Sequence, residues 1–107
     1  MDDEYIYRYT RAMALADGVL IDITDIAKES GFRLPTAINV DLYAHFREEA
    51  REQDLRRLLT SFYFQTMASE KDSDMVMTEV DRRDVVLHIG GGDDGKPVLT
   101  LCYLIDL

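Results

Sequence analysis

Leu55, Leu58, Leu59, Phe62, Tyr63 and Thr66 follow one another at steps of three and four residues, the spacing that gathers side chains on one face of an α-helix. With Arg56 and Arg57 beside that face, the segment is the clearest helix in the chain and is predicted to lay its stripe on a sheet. Three apolar runs further on, 75–80, 85–89 and 98–105, are separated by Asp81-Arg82-Arg83-Asp84 and by the glycine-rich stretch 90–97. Runs of this length, rich in β-branched residues and punctuated by turn residues, predict an antiparallel meander. In the last run Leu99, Leu101, Tyr103 and Ile105 alternate with Val98, Thr100, Cys102 and Leu104. A strand apolar on both faces is expected at the centre of its sheet.

The N-terminal half reads as shorter elements. Thr10 is placed to cap a helix running to about Ala16, and Asp17-Gly18 supplies a left-handed exit. Val19-Leu20-Ile21-Asp22-Ile23 predicts a strand, Thr24 caps a second short helix with Ile26 turned inward, and Gly31 ends it. Phe32-Arg33-Leu34-Pro35 is a connector, because the residue before a proline is pushed toward extended geometry. Residues 36–40 predict a strand and Asp41 the cap of a helix carrying Leu42, Tyr43 and Phe46. The stretch 47–57 alternates charge signs at helical spacing, which reads as a solvated, ion-paired face. Residues 69–73 form a polar linker. A chain of 107 residues buries enough apolar surface for one core. The expectation is a single α+β domain over 1–107: short N-terminal helices and one longer amphipathic helix packed on a mainly antiparallel sheet that ends in a three-stranded meander.

The charge balance excludes some functions. With 21 carboxylates against 12 Lys and Arg, the net charge is −9, which argues against direct binding of nucleic acid, whose affinity comes from cations displacing counterions from phosphates. The deficit falls in residues 1–30 and 58–81, flanking a neutral middle. Met1-Asp2-Asp3-Glu4 is acidic where a signal peptide is basic, and no apolar stretch is long enough to span a bilayer. A single cysteine, Cys102, set in an apolar run, reads as a buried small hydrophobe in a cytoplasmic protein.

Several patterns tempt a chemical assignment. Gly90-Gly91-Gly92-Asp93-Asp94-Gly95-Lys96 matches the letters of a phosphate-binding loop. Pro97, however, stands where a Ser or Thr should hold magnesium, a strand follows where a helix N-terminus is needed, and Asp93 and Asp94 repel phosphates. A hairpin loop is the expectation. The same two aspartates lack the alternating ligands of a calcium loop. His45 shares a helical side with Asp41 and Glu49, which reads as a solvated face. His88 sits on the strand face of Val86, and neither histidine has a motif linking it to Cys102 as a nucleophile pair. No catalytic residue, cofactor or metal site is therefore expected, and the chain is read as not an enzyme. Tyr5, Tyr7 and Tyr9 alternate as in a strand, with packing on the protein's own core as the expectation and an interface platform as the alternative.

The segment Tyr9-Thr10-Arg11-Ala12-Met13-Ala14-Leu15-Ala16-Asp17-Gly18-Val19-Leu20-Ile21-Asp22-Ile23-Thr24, continued by Ala27 and Gly31-Phe32-Arg33-Leu34-Pro35, resembles the opening Tyr-Ser-Arg-Ala-x-Ala-x-x-Asp-Gly-Val-Leu-x-Asp-x-Thr of a family of small bacterial, phage and plasmid proteins that form a domain of unknown function. Gly92-Asp93-Asp94-Gly95-Lys96-Pro97-Val98-Leu99-Thr100 resembles that family's C-terminal hairpin. The middle of the chain departs from the pattern, with the charged stretch 47–54 and no tryptophan. The resemblance implies a shared fold and a mobile-element setting, and it supplies no catalytic residues.

In that setting an acidic protein is expected to act as a non-catalytic inhibitor of the anti-CRISPR type. Its partner is then a host protein, a basic nucleic-acid-binding defence effector, engaged by a DNA-mimicking anionic surface. The carboxylates expected to form that surface are Asp72, Asp74, Glu79 and Asp81, together with Asp2, Asp3 and Glu4. The alternative is a regulatory or accessory interaction module that self-associates as a homodimer through its tyrosine row or a sheet edge.

Overall fold

The computed structural model describes residues 9–68 and 74–107, so Asp2, Asp3, Glu4, Tyr5, Tyr7, Asp72 and the linker 69–73 lie outside the described residues. The first helix, α1 (Arg11–Asp17), starts where Thr10 Oγ1 accepts the N–H of Met13 at 3.1 Å and ends at Gly18 with φ 80°. Both ends are therefore set by the residue types expected to set them.

A short strand, β1 (Leu20–Asp22), leads into α2 (Thr24–Glu29). Ile23, not Thr24, occupies the cap position of α2 and makes no side-chain cap bond. Thr24 is already helical, and its hydroxyl is committed elsewhere: it donates to Asp22 Oδ1 and accepts the N–H of Thr36 at 3.0 Å. The next strand, β2 (Thr36–Asn39), passes directly into α3 (Val40–His45). With no residue between them the cap falls on Asn39, whose Oδ1 accepts the N–H of Asp41 at 2.8 Å, so the expected cap at Asp41 is two residues late. Phe46 leaves the helix in extended geometry, φ −81° and ψ 137°, and is still buried.

After a single 3₁₀ turn at Glu48–Ala50 comes α4 (Arg51–Ala68), burying Leu55, Leu58, Leu59 and Phe62. Tyr63 stacks edge-on against Phe32, ring centroids 5.5 Å apart, and Thr66 is exposed, so the buried stripe is shorter than its sequence spacing suggests. The close approach of α2 and α4 requires Gly31. Its φ is 109°, and a Cβ there would stand 2.6 Å from the Tyr63 ring.

The meander consists of β3 (Met75–Val80), β4 (Arg83–Gly91) and β5 (Pro97–Tyr103). The five strands are ordered β1-β2-β5-β4-β3, which puts β5 at the centre as its two apolar faces required. All pairings are antiparallel except β2 with β5, which is parallel, so the mainly antiparallel sheet is a mixed one. Asp81 and Arg82 alone form the β3–β4 turn, with φ 49° and 72°, the signature of a type I′ hairpin. At the other end β5 stops at Tyr103, and Leu104–Asp106 curls into a 3₁₀ turn. Ile105 is left 82% exposed rather than paired in a strand.

Helices α2, α3 and α4 cover one face of the sheet, where Ile38, Leu87, Leu99 and Leu101 meet Leu42, Leu59 and Phe62 in one cluster. On the opposite face Ala37, Val86 and Cys102 are buried. No helix among the described residues is long and apolar enough to cross a membrane.

Candidate interaction surface

The three described members of the expected anionic set, Asp74, Glu79 and Asp81, lie just before β3, in it and in its turn, yet they do not share one face. Asp74 precedes the strand and Glu79 lies near its end, about 17 Å away at ~3.3 Å per residue. Side chains alternate along a strand, so Asp74 falls with Val76, Thr78 and Val80 toward the helices, whereas Glu79 falls with Met75 and Met77 on the opposite face. Asp81 sits in the turn, where its Oδ2 lies 2.7 Å from His45 Nε2.

What β3 does bring to Glu79 is Asp84. The two are direct partners in the β3–β4 ladder, both exposed, and neither makes an ion pair or side-chain hydrogen bond among the described residues. Like charges directly opposite each other in a ladder repel and cost stability. Cys102 lies on the same face, its ladder partner Val86 being two residues from Asp84. Burial and then Asp106 push the Cys102 thiol up from its ordinary value, which makes it a poor nucleophile at neutral pH. The ladder thus sets Glu79 and Asp84 side by side on the face away from the helices. Asp84 was not assigned to the anionic set from the sequence. A two-residue turn at Asp81-Arg82 fixes the register that pairs Glu79 with Asp84, but Asp-Arg lacks the glycine that marks such turns.

On the helical side of β3 the surface is mixed. A groove of about 440 Å³ runs between α4 and β3, with Phe46, Leu58 and Val80 as its apolar surface. Of the cations there, Arg47 pairs with Glu49 at 2.8 Å and Arg57 approaches Asp54 at 3.5 Å. His45 belongs to this rim through Asp81, a residue 36 positions away. Its helical neighbours Asp41 and Glu49, expected from spacing, are not its partners, because α3 ends at His45 and Glu49 turns to Arg47.

The glycine-rich loop has a structural task. Asp93 Oδ1 and Oδ2 accept the N–H groups of Arg11 and Ala12, each at 2.9 Å, so the end of α1 that a phosphate would seek is filled by a carboxylate of the chain itself. The Arg11 guanidinium crosses to β5, donating to Thr100 Oγ1 at 2.7 Å and to the carbonyl of Leu99 at 2.8 Å. The two segments that carry the family resemblance therefore meet, and their shared residues hold α1 to the β4–β5 hairpin. Tyr9, the described member of the tyrosine row, donates its hydroxyl to Asp17 Oδ2 at 3.0 Å.

His88 is half-buried opposite Thr100. No group of three or more His, Cys, Asp or Glu side chains among the described residues is placed to hold a metal ion. No family model matches the chain, and neither curated proteins nor solved structures provide a match.

Proposed function

We propose that this chain is a non-catalytic, acidic binding protein of the anti-CRISPR type, which occupies a basic nucleic-acid effector by presenting carboxylates where that effector takes phosphates. The observation that carries this reading is the Glu79–Asp84 pair. A ladder that sets two carboxylates against each other gives up stability, and a cationic partner surface relieves that repulsion on binding. Charge recognition of this kind sets orientation and association rate and weakens as salt screens it. Arg82, exposed in the turn, and the mixed rim around Arg47 confine the effect to the Glu79 side of β3.

The test is affinity capture from host lysate by the wild-type chain and by a Glu79→Lys, Asp84→Lys variant, at low and at raised salt. Recovery of a nucleic-acid-binding protein by the wild type only, and its loss as salt rises, is the expected result. Equal recovery by the variant sinks the proposal. The variant keeps a like-charge pair of the opposite sign, so matched thermal melts of variant and wild type separate a loss of recognition from a loss of folding. The self-associating alternative has in its favour the outermost position of β3 among the described strands, and predicts a complex of identical chains that survives raised salt.

A further inference from the structure

The end of the sheet that carries the Asp81-Arg82 turn holds a small cavity of about 300 Å³, bordered by Arg83, Asp84, Tyr103, Leu104 and Ile105. Arg83 and Asp84 open β4, and Leu104 and Ile105 belong to the 3₁₀ turn after β5. The ladder brings the two segments together by pairing Val85 with Tyr103. The Arg83 guanidinium lies over the Tyr103 ring, 3.5 Å from its centroid, while Arg83 itself stays exposed. It makes no ion pair or side-chain hydrogen bond among the described residues, and neither does Asp84 beside it. Tyr103 is 3% exposed, and its hydroxyl has no hydrogen-bond partner among the described residues, whereas a phenol buried that deeply ordinarily has one. Leu104 and Ile105 are exposed.

Each of these features suits a different part of one ligand. A guanidinium held flat on a ring keeps its N–H fork for a planar carboxylate, and the Tyr103 hydroxyl is a further donor to it. Asp84 places a negative charge at the same cavity, which disfavours a simple anion and matches a cationic group in the ligand. Leu104 and Ile105 offer apolar surface to cover. The volume lies at the small end of cavities that hold ligands. We infer that this cavity binds an α-amino acid with an aliphatic side chain: its carboxylate meets Arg83 and Tyr103, its ammonium meets Asp84, and its side chain packs on Leu104 and Ile105. The site goes beyond the acidic-face reading and shares only Asp84 with it.

The probe is leucine, titrated into the isotope-labelled full chain with no effector present and followed through backbone amide shifts. Saturable shifts centred on residues 83–85 and 103–105 are the expected result. Leucinamide lacks the carboxylate, N-acetyl-leucine lacks the ammonium and glycine lacks the side chain; each is expected to bind more weakly by about tenfold or more, the ratio equivalent to ~1.4 kcal/mol. Arg83→Gln and Asp84→Asn are expected to weaken leucine comparably. Tyr103→Phe removes only the hydroxyl, and is expected to weaken leucine while melting no lower than the wild type, because the group lost had no partner in the free chain. Shifts that fail to saturate, or that leucinamide and N-acetyl-leucine reproduce at equal concentration, overturn the inference. So does undiminished affinity in Arg83→Gln. Shifts at these residues that follow protein concentration alone also overturn it, since a second copy then covers the cavity. The analogue series is read on the wild-type chain, so it decides the matter even where a variant fails to fold.

Discussion

Asp93 accepts the backbone N–H of Arg11 at 2.9 Å across 82 positions of sequence, so α1, the first described helix, is capped by the β4–β5 hairpin. The second oxygen takes the N–H of Ala12. Carboxylate caps at helix N-termini stabilise through both the hydrogen bond and the helix dipole. Asp93→Ala is expected to lower unfolding stability by about 1–2 kcal/mol in urea titration. Asp93→Asn, which keeps one acceptor oxygen, is expected to recover part of that loss.

The Asp81-Arg82 turn makes the opposite kind of prediction. Arg82 holds φ 72°, a conformation that costs a residue with a Cβ about 1 kcal/mol or more and that glycine adopts freely. Its side chain makes no ion pair among the described residues. Arg82→Gly is therefore expected to raise stability by about 0.5–1 kcal/mol, read as a higher midpoint in thermal melts with an unchanged fold. A lower midpoint would mean that Arg82 makes a contribution its turn geometry does not reveal.

Proline scanning of β3 reads out its ladder directly. Ile89 N–H donates to the carbonyl of Asp74 at 2.8 Å and bonded pairs alternate along the ladder, so at Met77 the N–H points away from β4, and proline there removes no bond to a described strand. At Thr78 the N–H points inward, and proline costs about 3 kcal/mol or more. The expected outcome is a folded Met77→Pro and a severely destabilised Thr78→Pro. Equal damage at both positions would show that the edge assignment is out of register.

The buried thiol gives stability a pH dependence. Burial raises the Cys102 pKa above its ordinary value of 9.0, with Asp106 adding to the effect. Above 9.0 the unfolded chain releases a proton that the folded chain retains, so the unfolded state binds fewer protons and stability falls as pH rises. The contribution is fully present below 9.0 and is lost as pH climbs toward the folded value. Comparing urea midpoints of wild type and Cys102→Ala from neutral pH to above pH 9 is expected to show a steeper alkaline decline in the wild type.

Much of the fold was legible because local chemistry and tertiary need agree. Thr10 and Gly18 bound α1 as their types dictate, the stripe Leu55–Leu58–Leu59–Phe62 lies where its spacing put it, and the two apolar faces of β5 placed it centrally. Illegible were features decided by distant pairing. Nothing local tells Thr24 that Thr36 needs its hydroxyl, or that β2 runs parallel to β5. The site suffered most. Its carboxylates were sought along one strand, where alternation divides Asp74 from Glu79, while the true neighbours Glu79 and Asp84 are joined by a ladder whose turn lacks the usual glycine.

Competition with nucleic acid is tested most directly by displacement of a fluorescent DNA duplex from the captured effector as the chain is titrated in. Release of the duplex at near-stoichiometric chain, weakened by salt and lost in Glu79→Lys, Asp84→Lys, is the predicted result. A chain that binds the effector while the duplex stays bound would contradict it.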